Sequence, residues 1–101
     1  MSDLDHLAAL AKALAHPARL ELLQTLAARG TCVCGDLVTT SARAQSTVSQ
    51  HLKVLREAGL VAGTVDGPRS CYCLSADGLA AARASVGAFL DGLVAPDDCT
   101  C

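Results

Sequence analysis

Leu4, Leu7, Ala11 and Leu14 recur at steps of three and four near the start of the chain. That spacing puts side chains on one face of an α-helix and predicts a helix over residues 3–14, ending before His16-Pro17. Pro17 opens a second helix, because a proline at a first helical position gives up an N–H that has no intrahelical partner there. Leu20, Leu23 and Leu26 carry this helix to a stop at Gly30. The run TCVC at 31–34 lies between that stop and Gly35-Asp36, a candidate N-cap. It is expected to be extended, with a short third helix over residues 37–40 and a loop over 41–44.

The next segment has two distinct faces. Between residues 45 and 59, Val48, Leu52 and Leu55 share one side of a helix, while Ser46, Ser49, Gln50 and Lys53 share the other. Strand-like runs at 60–65 and 69–74 flank Asp66-Gly67, a strong hairpin-turn dipeptide, with Pro68 stiffening the turn. Ser75 can cap a closing helix over 77–94, along which Leu79, Ala82, Val86, Phe89, Leu90 and Leu93 form an apolar stripe. The order is four helices, a β-hairpin and a closing helix. This predicts an α+β, mostly α fold of the winged helix-turn-helix type, with one DNA-binding and dimerisation domain over 1–96 and a cysteine-containing tail over 97–101.

Composition narrows the picture. A chain of 101 residues holds one core and leaves much apolar surface uncovered, so a partner subunit would add stability. Hydrophobic residues make up 51% of the sequence, mostly Ala and Leu, and outside histidine the only ring side chains are Tyr72 and Phe89, so the core is aliphatic. No run approaches the ~20 apolar residues that span a bilayer, and the first residues carry acids in place of a basic leader. The expectation is a cytoplasmic protein without a membrane partner. A net charge of −2 weighs against a general polyanion binder but allows a local basic face.

The two-faced helix over 45–59 has the chemistry for reading double-stranded DNA. Gln45, Ser46, Thr47, Ser49 and Gln50 offer short hydrogen-bonding groups to base edges or nearby phosphates. Arg43, Lys53 and Arg56 suit phosphates, and Arg69 beside the hairpin turn is a candidate wing contact. His51 fits either a phosphate contact or a partly buried position. A merely solvated helix face would favour Glu, Lys and Arg over this Ser/Thr/Gln set.

The segment AQSTVSQHLKVLREAGLVAGTVDGPRSCYCLS, with HPARLELLQTL and the CVC run before it, resembles the ArsR/SmtB family of metal- and metalloid-responsive repressors over roughly residues 5–94. The resemblance implies a winged-helix homodimer joined through its first and last helices, bound to a palindromic operator until an inducer lowers DNA affinity. Ala44 stands where the family commonly has Ser at the start of the recognition helix, which removes one capping hydroxyl.

Six cysteines fall in three Cys-x-Cys pairs, Cys32/Cys34, Cys71/Cys73 and Cys99/Cys101. In a reducing compartment such pairs persist as thiols for metal or redox chemistry, with a disulfide framework the weaker expectation. Residues i and i+2 share a side only in extended backbone, so the two inner pairs can chelate as strands. The resemblance further implies that the strand after the second helix pairs with the returning wing strand, bringing Cys32, Cys34, Cys71 and Cys73 together.

Soft thiolates select arsenic(III), antimony(III), cadmium, lead, zinc or copper(I). Family members with a CVC run at this position respond to arsenic or to cadmium and lead, so arsenic(III), with antimony(III) beside it, is the expected inducer, without an organic cofactor. The family's third arsenic-binding cysteine is absent, since GDLV follows the CVC run, so a third sulfur must come from Cys71, Cys73 or the tail pair Cys99 and Cys101. The family's zinc site on the last helix does not transfer, because GLAAARASVGAFLDGLV contains no His. Alternatives are a thiol-redox or persulfide-responsive repressor, a cadmium/lead-responsive one, and a structural four-thiolate zinc module. An enzyme is not expected: no Cys-x-x-Cys, paired acids or nucleophile–base motif occurs.

Overall fold

The computed structural model describes residues 3–34, 45–64 and 71–97. The expected short helix over 37–40, the loop with Arg43, the Asp66-Gly67 turn, Pro68, Arg69, Cys99 and Cys101 lie outside the described residues, as do the side chains of Cys34, Gln45 and Ser46. Among the described residues the order is α1 (Asp3–Leu14), α2 (Pro17–Arg29), β1 (Val33–Cys34), α3 (Gln45–Glu57), β2 (Val61–Thr64), β3 (Cys71–Leu74) and α4 (Ala76–Asp91). This is the expected mostly helical winged helix-turn-helix arrangement.

The helix ends follow local chemistry. His16, in extended backbone, caps α2 by accepting the Ala18 N–H at its Nδ1, and Pro17 occupies the first helical position. Gly30 ends α2 in the left-handed region at φ 68°, where its N–H reaches the Leu26 carbonyl. Ser75 caps α4, its hydroxyl accepting the Gly78 N–H at 3.0 Å. Two helices are shorter than their apolar patterns suggest. α3 gives way to a turn at Ala58 and Gly59, the latter at φ 86°. α4 stops at Asp91, where Gly92 and then Leu93 donate back to Leu90, and Gly92 also to Ala88, in tight turns that end the helical ladder.

The three strands form one antiparallel sheet in the order β1-β3-β2. β3 is central, pairing Val61 with Leu74 and Thr64 with Cys71 on one side, and Val33 with Tyr72 and Cys34 with Cys71 on the other. Below the sheet lies one core, in which Val33 and Tyr72 join Leu10, Leu22 and Leu26 of the first two helices and Val48, Leu52 and Leu55 of α3. α4 is the exception: none of its residues is buried, despite its apolar stripe.

Candidate inducer site and DNA-reading helix

Strand alternation sorts the sheet residues into two sets. Val33 and Tyr72 are paired and face the core, so Cys32, Cys71 and Cys73, which flank them, are directed to the opposite side. Continuing the β1–β3 register by one residue sets Cys32 opposite Cys73, and their Cα atoms are 4.3 Å apart, the separation of a close antiparallel pair. The two sulfurs are joined as a disulfide. Cys71, whose backbone partner is Cys34, is disulfide-bonded as well.

Two of the expected contributors thus meet, and a third lies on the same strand two residues away. The oxidised pairing differs from the expectation of free thiols. Its physical basis is the register, which puts cysteines directly opposite one another and leaves little to separate them but the redox state. Among the described residues no group of three or more His, Cys, Asp or Glu side chains is arranged to hold a metal ion.

The cluster is accessible. Cys32 and Cys71 are exposed and Cys73 is half-buried. A cleft of about 300 Å³ opens beside Cys32 and Cys73, lined by Leu26, Ala27, Gly30, Thr31 and Leu74.

On α3 the division of faces is as expected. Val48, Leu52 and Leu55 are buried, Thr47 and Gln50 are exposed, and Ser49, Lys53 and Arg56 are half-buried. Arg56 Nη1 lies 3.5 Å from the Gly63 carbonyl, a contact between α3 and β2. His51 is half-buried, and its Nδ1 accepts the Arg19 Nε–H at 3.2 Å. Its ring also lies 4.4 Å from that of His16 between centroids. Sequence reasoning missed Arg19; the signal was its place in HPARL, at the corner between two predicted helices.

The fold and these residues find a counterpart in known proteins. Residues 14–64 match the family model described as a helix-turn-helix domain. The chain is 45% identical over 65 residues to the arsenical resistance operon repressor of Bacillus subtilis, covering 63% of this chain and 61% of that protein. It belongs to the ArsR/SmtB family. The HTH-type transcriptional regulator CmtR of Mycobacterium bovis is 41% identical over 76 residues, 75% of this chain and 64% of that protein. A crystal structure of a possible transcriptional regulator for arsenical resistance superposes with a TM-score of 0.63 at 37% identity, covering 77% of this chain and 80% of that one. The chain spans only about 60% of the length of the first curated relatives it matches. Fold and relatives are those of transcriptional regulators and not of enzymes.

Proposed function

We propose that this ArsR/SmtB member is a metalloid-responsive repressor that binds operator DNA as a homodimer and leaves it when arsenic(III) or antimony(III) is taken by its cysteine thiolates. The observation that carries the reading is the β1–β3 register, which brings Cys32 and Cys73 into contact on the face of the sheet opposite the core. Reduced, this pair supplies two soft sulfurs, and Cys71 on the same strand, or Cys34 opposite it, supplies the third that a trigonal arsenic(III) takes. Cys99 and Cys101 are candidate auxiliary ligands. The similarity to an arsenical resistance repressor supports arsenic over cadmium or lead.

The site is suited to act on α3. Val33 lies between the first two cysteines and Tyr72 between the second two, and both belong to the core that holds Val48, Leu52 and Leu55. Pulling β1 and β3 together around an ion shifts the layer on which α3 rests. A coupling of about 1–3 kcal/mol between ion and DNA is typical of such pairs of sites, and it acts equally in both directions.

In this reading α3 enters the major groove with Gln45, Ser46, Thr47, Ser49 and Gln50 toward base edges. Arg43, Lys53 and Arg56 meet phosphates, and Arg69 meets the backbone from the wing. A second copy of the chain covers α4 and the groove of about 480 Å³ that Leu4, Leu7, Ala88 and Phe89 line between α1 and α4. The protein works in the cytoplasm.

A second reading is favoured by the disulfide itself. Loss of two electrons and two protons from the Cys32 and Cys73 thiols to an oxidant or polysulfide would give the bonded form and make this a thiol-redox repressor of the same fold. One titration separates the two. Reduced protein on its own upstream DNA is challenged in parallel with arsenite, antimonite, cadmium, zinc and a polysulfide, using wild type, Cys32→Ser, Cys71→Ser and Cys99→Ser. Release by arsenite that is lost in the first two variants and kept in the third supports the metalloid sensor. Release by polysulfide alone moves the protein to the redox class, and release by none of them overturns both.

A further inference from the structure

Arg19 sits where three helices meet. Its Nη1 donates to the Lys12 carbonyl at 2.9 Å, which also accepts the Ala15 N–H at 3.2 Å, and lies 3.5 Å from the Ala13 carbonyl, both at the end of α1 where the helical ladder runs out. Its Nε donates to His51 Nδ1 on α3. A cation at a helix C-terminus is also favoured by the helix dipole. One side chain thus ties the last turn of α1 and the first turn of α2 to the middle of α3.

We infer that the Arg19–His51 hydrogen bond is a proton-sensitive tie that sets the position of α3, making His51 a positioning residue for DNA binding and not a phosphate contact. The inference rests on reading α3 as the operator-reading helix and is independent of the inducer. Its chemistry follows from the lone pair. His51 Nδ1 can accept from Arg19 only while that nitrogen carries no proton. Protonation at Nδ1 replaces the acceptor with a donor and sets an imidazolium against a guanidinium.

The described elements that pack on α3 carry few other charged groups. α1, α2 and β2 are the elements most closely packed on α3. α2 brings His16 as well as Arg19, and His16 Nδ1 is itself occupied by the Ala18 N–H. Glu21, two residues beyond Arg19, leaves α2 on another face at 100° per residue. On α1 the Lys12 side chain is exposed, and β2 carries no ionisable side chain. On α3 itself Lys53, Arg56 and Glu57 are turned away from His51 by the helical rotation. Proton and tie compete for one nitrogen, so acid opposes the tie.

A phosphate contact predicts the opposite sign, since an imidazolium attracts phosphate more strongly than a neutral ring does. The test is affinity for a duplex selected from random sequence by the wild type at pH 8, measured from pH 8 to 5.5 on the reduced full chain. Wild type, His51→Gln, whose amide oxygen accepts from Arg19 without titrating, and Arg19→Lys are compared, each as its own ratio of affinity at the two pH values. The wild type is expected to lose affinity toward pH 5.5 by a larger factor than His51→Gln does.

Arg19→Lys, which keeps the charge but cannot reach α1 and His51 together, is expected to lose the excess pH dependence. Side-chain nitrogen NMR of the DNA-free protein is expected to find His51 protonated at Nε2 and accepting at Nδ1 at pH 8. Equal pH ratios in wild type and His51→Gln, or a wild-type affinity that rises toward pH 5.5, would overturn the tie while leaving α3 as the reader. Failure to select any duplex at pH 8 would instead remove the operator-reading role itself, and this inference with it.

Discussion

Gly78 in the first turn of α4 packs directly on the backbone carbonyl of Gly59, in the turn that follows α3, so closely that a methyl group on Gly78 would overlap that oxygen. Two hydrogen bonds hold the contact: the Ser75 N–H reaches the Leu60 carbonyl at 3.0 Å, and the Ser75 hydroxyl accepts the Gly78 N–H. The start of α4 is thereby stitched to the turn that follows α3. Gly78→Ala must push the two backbones apart, at a cost of about 1–3 kcal/mol. Thermal melts at equal protein concentration are expected to fall by roughly 4–8 °C for each kcal/mol lost. An unchanged melting temperature would mean that α4 is not seated on Gly59.

The core beneath α3 is the second point of leverage. Leu55 is fully buried at 0% exposure, and the Leu52 and Val48 side chains beside it are nearly so. Removing three carbons there leaves a cavity between α3 and the sheet, and Leu55→Ala is expected to cost about 2–5 kcal/mol in denaturant unfolding. In a small domain that is a large share of the total stability. A loss under 1 kcal/mol would show that α3 does not rest on this layer.

Helix α4 makes a case for a second subunit. Its apolar stripe buries no residue within the chain, and Phe89, Leu90, Leu93 and Val94 are 42%, 56%, 61% and 87% exposed. Exposed aliphatic and aromatic side chains gathered along the end of α4 and the residues just beyond it mark an association surface. Leu90→Glu places a charge in that surface, where an unpaired ion loses its hydration. Sedimentation is expected to shift from dimer to monomer, with operator affinity falling in step, because two half-sites are no longer held together. A wild type that sediments as a monomer at micromolar concentration would remove the dimer from the proposal.

Much of this was legible in the sequence, and the reasons differ by element. Pro17 and Gly30 bracket α2 because each residue has a fixed backbone meaning, and both helix ends fell where they predicted. The apolar positions of α3 became its buried face because period 3.6 leaves no other arrangement for Val48, Leu52 and Leu55. The pairing of β1 with β3 was reached through family resemblance, since two residues of strand carry no register signal of their own. The Arg19–His51 bond was invisible: it joins polar side chains 32 positions apart, and no periodicity encodes such a contact. Gly78 was equally silent, because an unremarkable helical glycine shows its purpose only when a backbone lies against it. The redox state of the cysteines depends on the surroundings as much as on the chain.

The cysteine register yields the last prediction. The pairing of Val33 with Tyr72 fixes which sulfurs are neighbours, so oxidation should join Cys32 to Cys73 and not to its sequence neighbour Cys34. Mild oxidation of the reduced protein, followed by proteolysis and mass spectrometry without reductant, is expected to yield a peptide that links the end of α2 to β3 through Cys32 and Cys73. Arsenite added before the oxidant should suppress that link, because a thiolate bound to arsenic is not free to attack a neighbouring sulfur. Protection in wild type that disappears in Cys71→Ser would identify Cys71 as a ligand shared with the pair. A dominant link between Cys32 and Cys34 would show that β1 is not held against β3 in solution, and the proposed inducer site would lose the Cys32–Cys73 pair on which it rests.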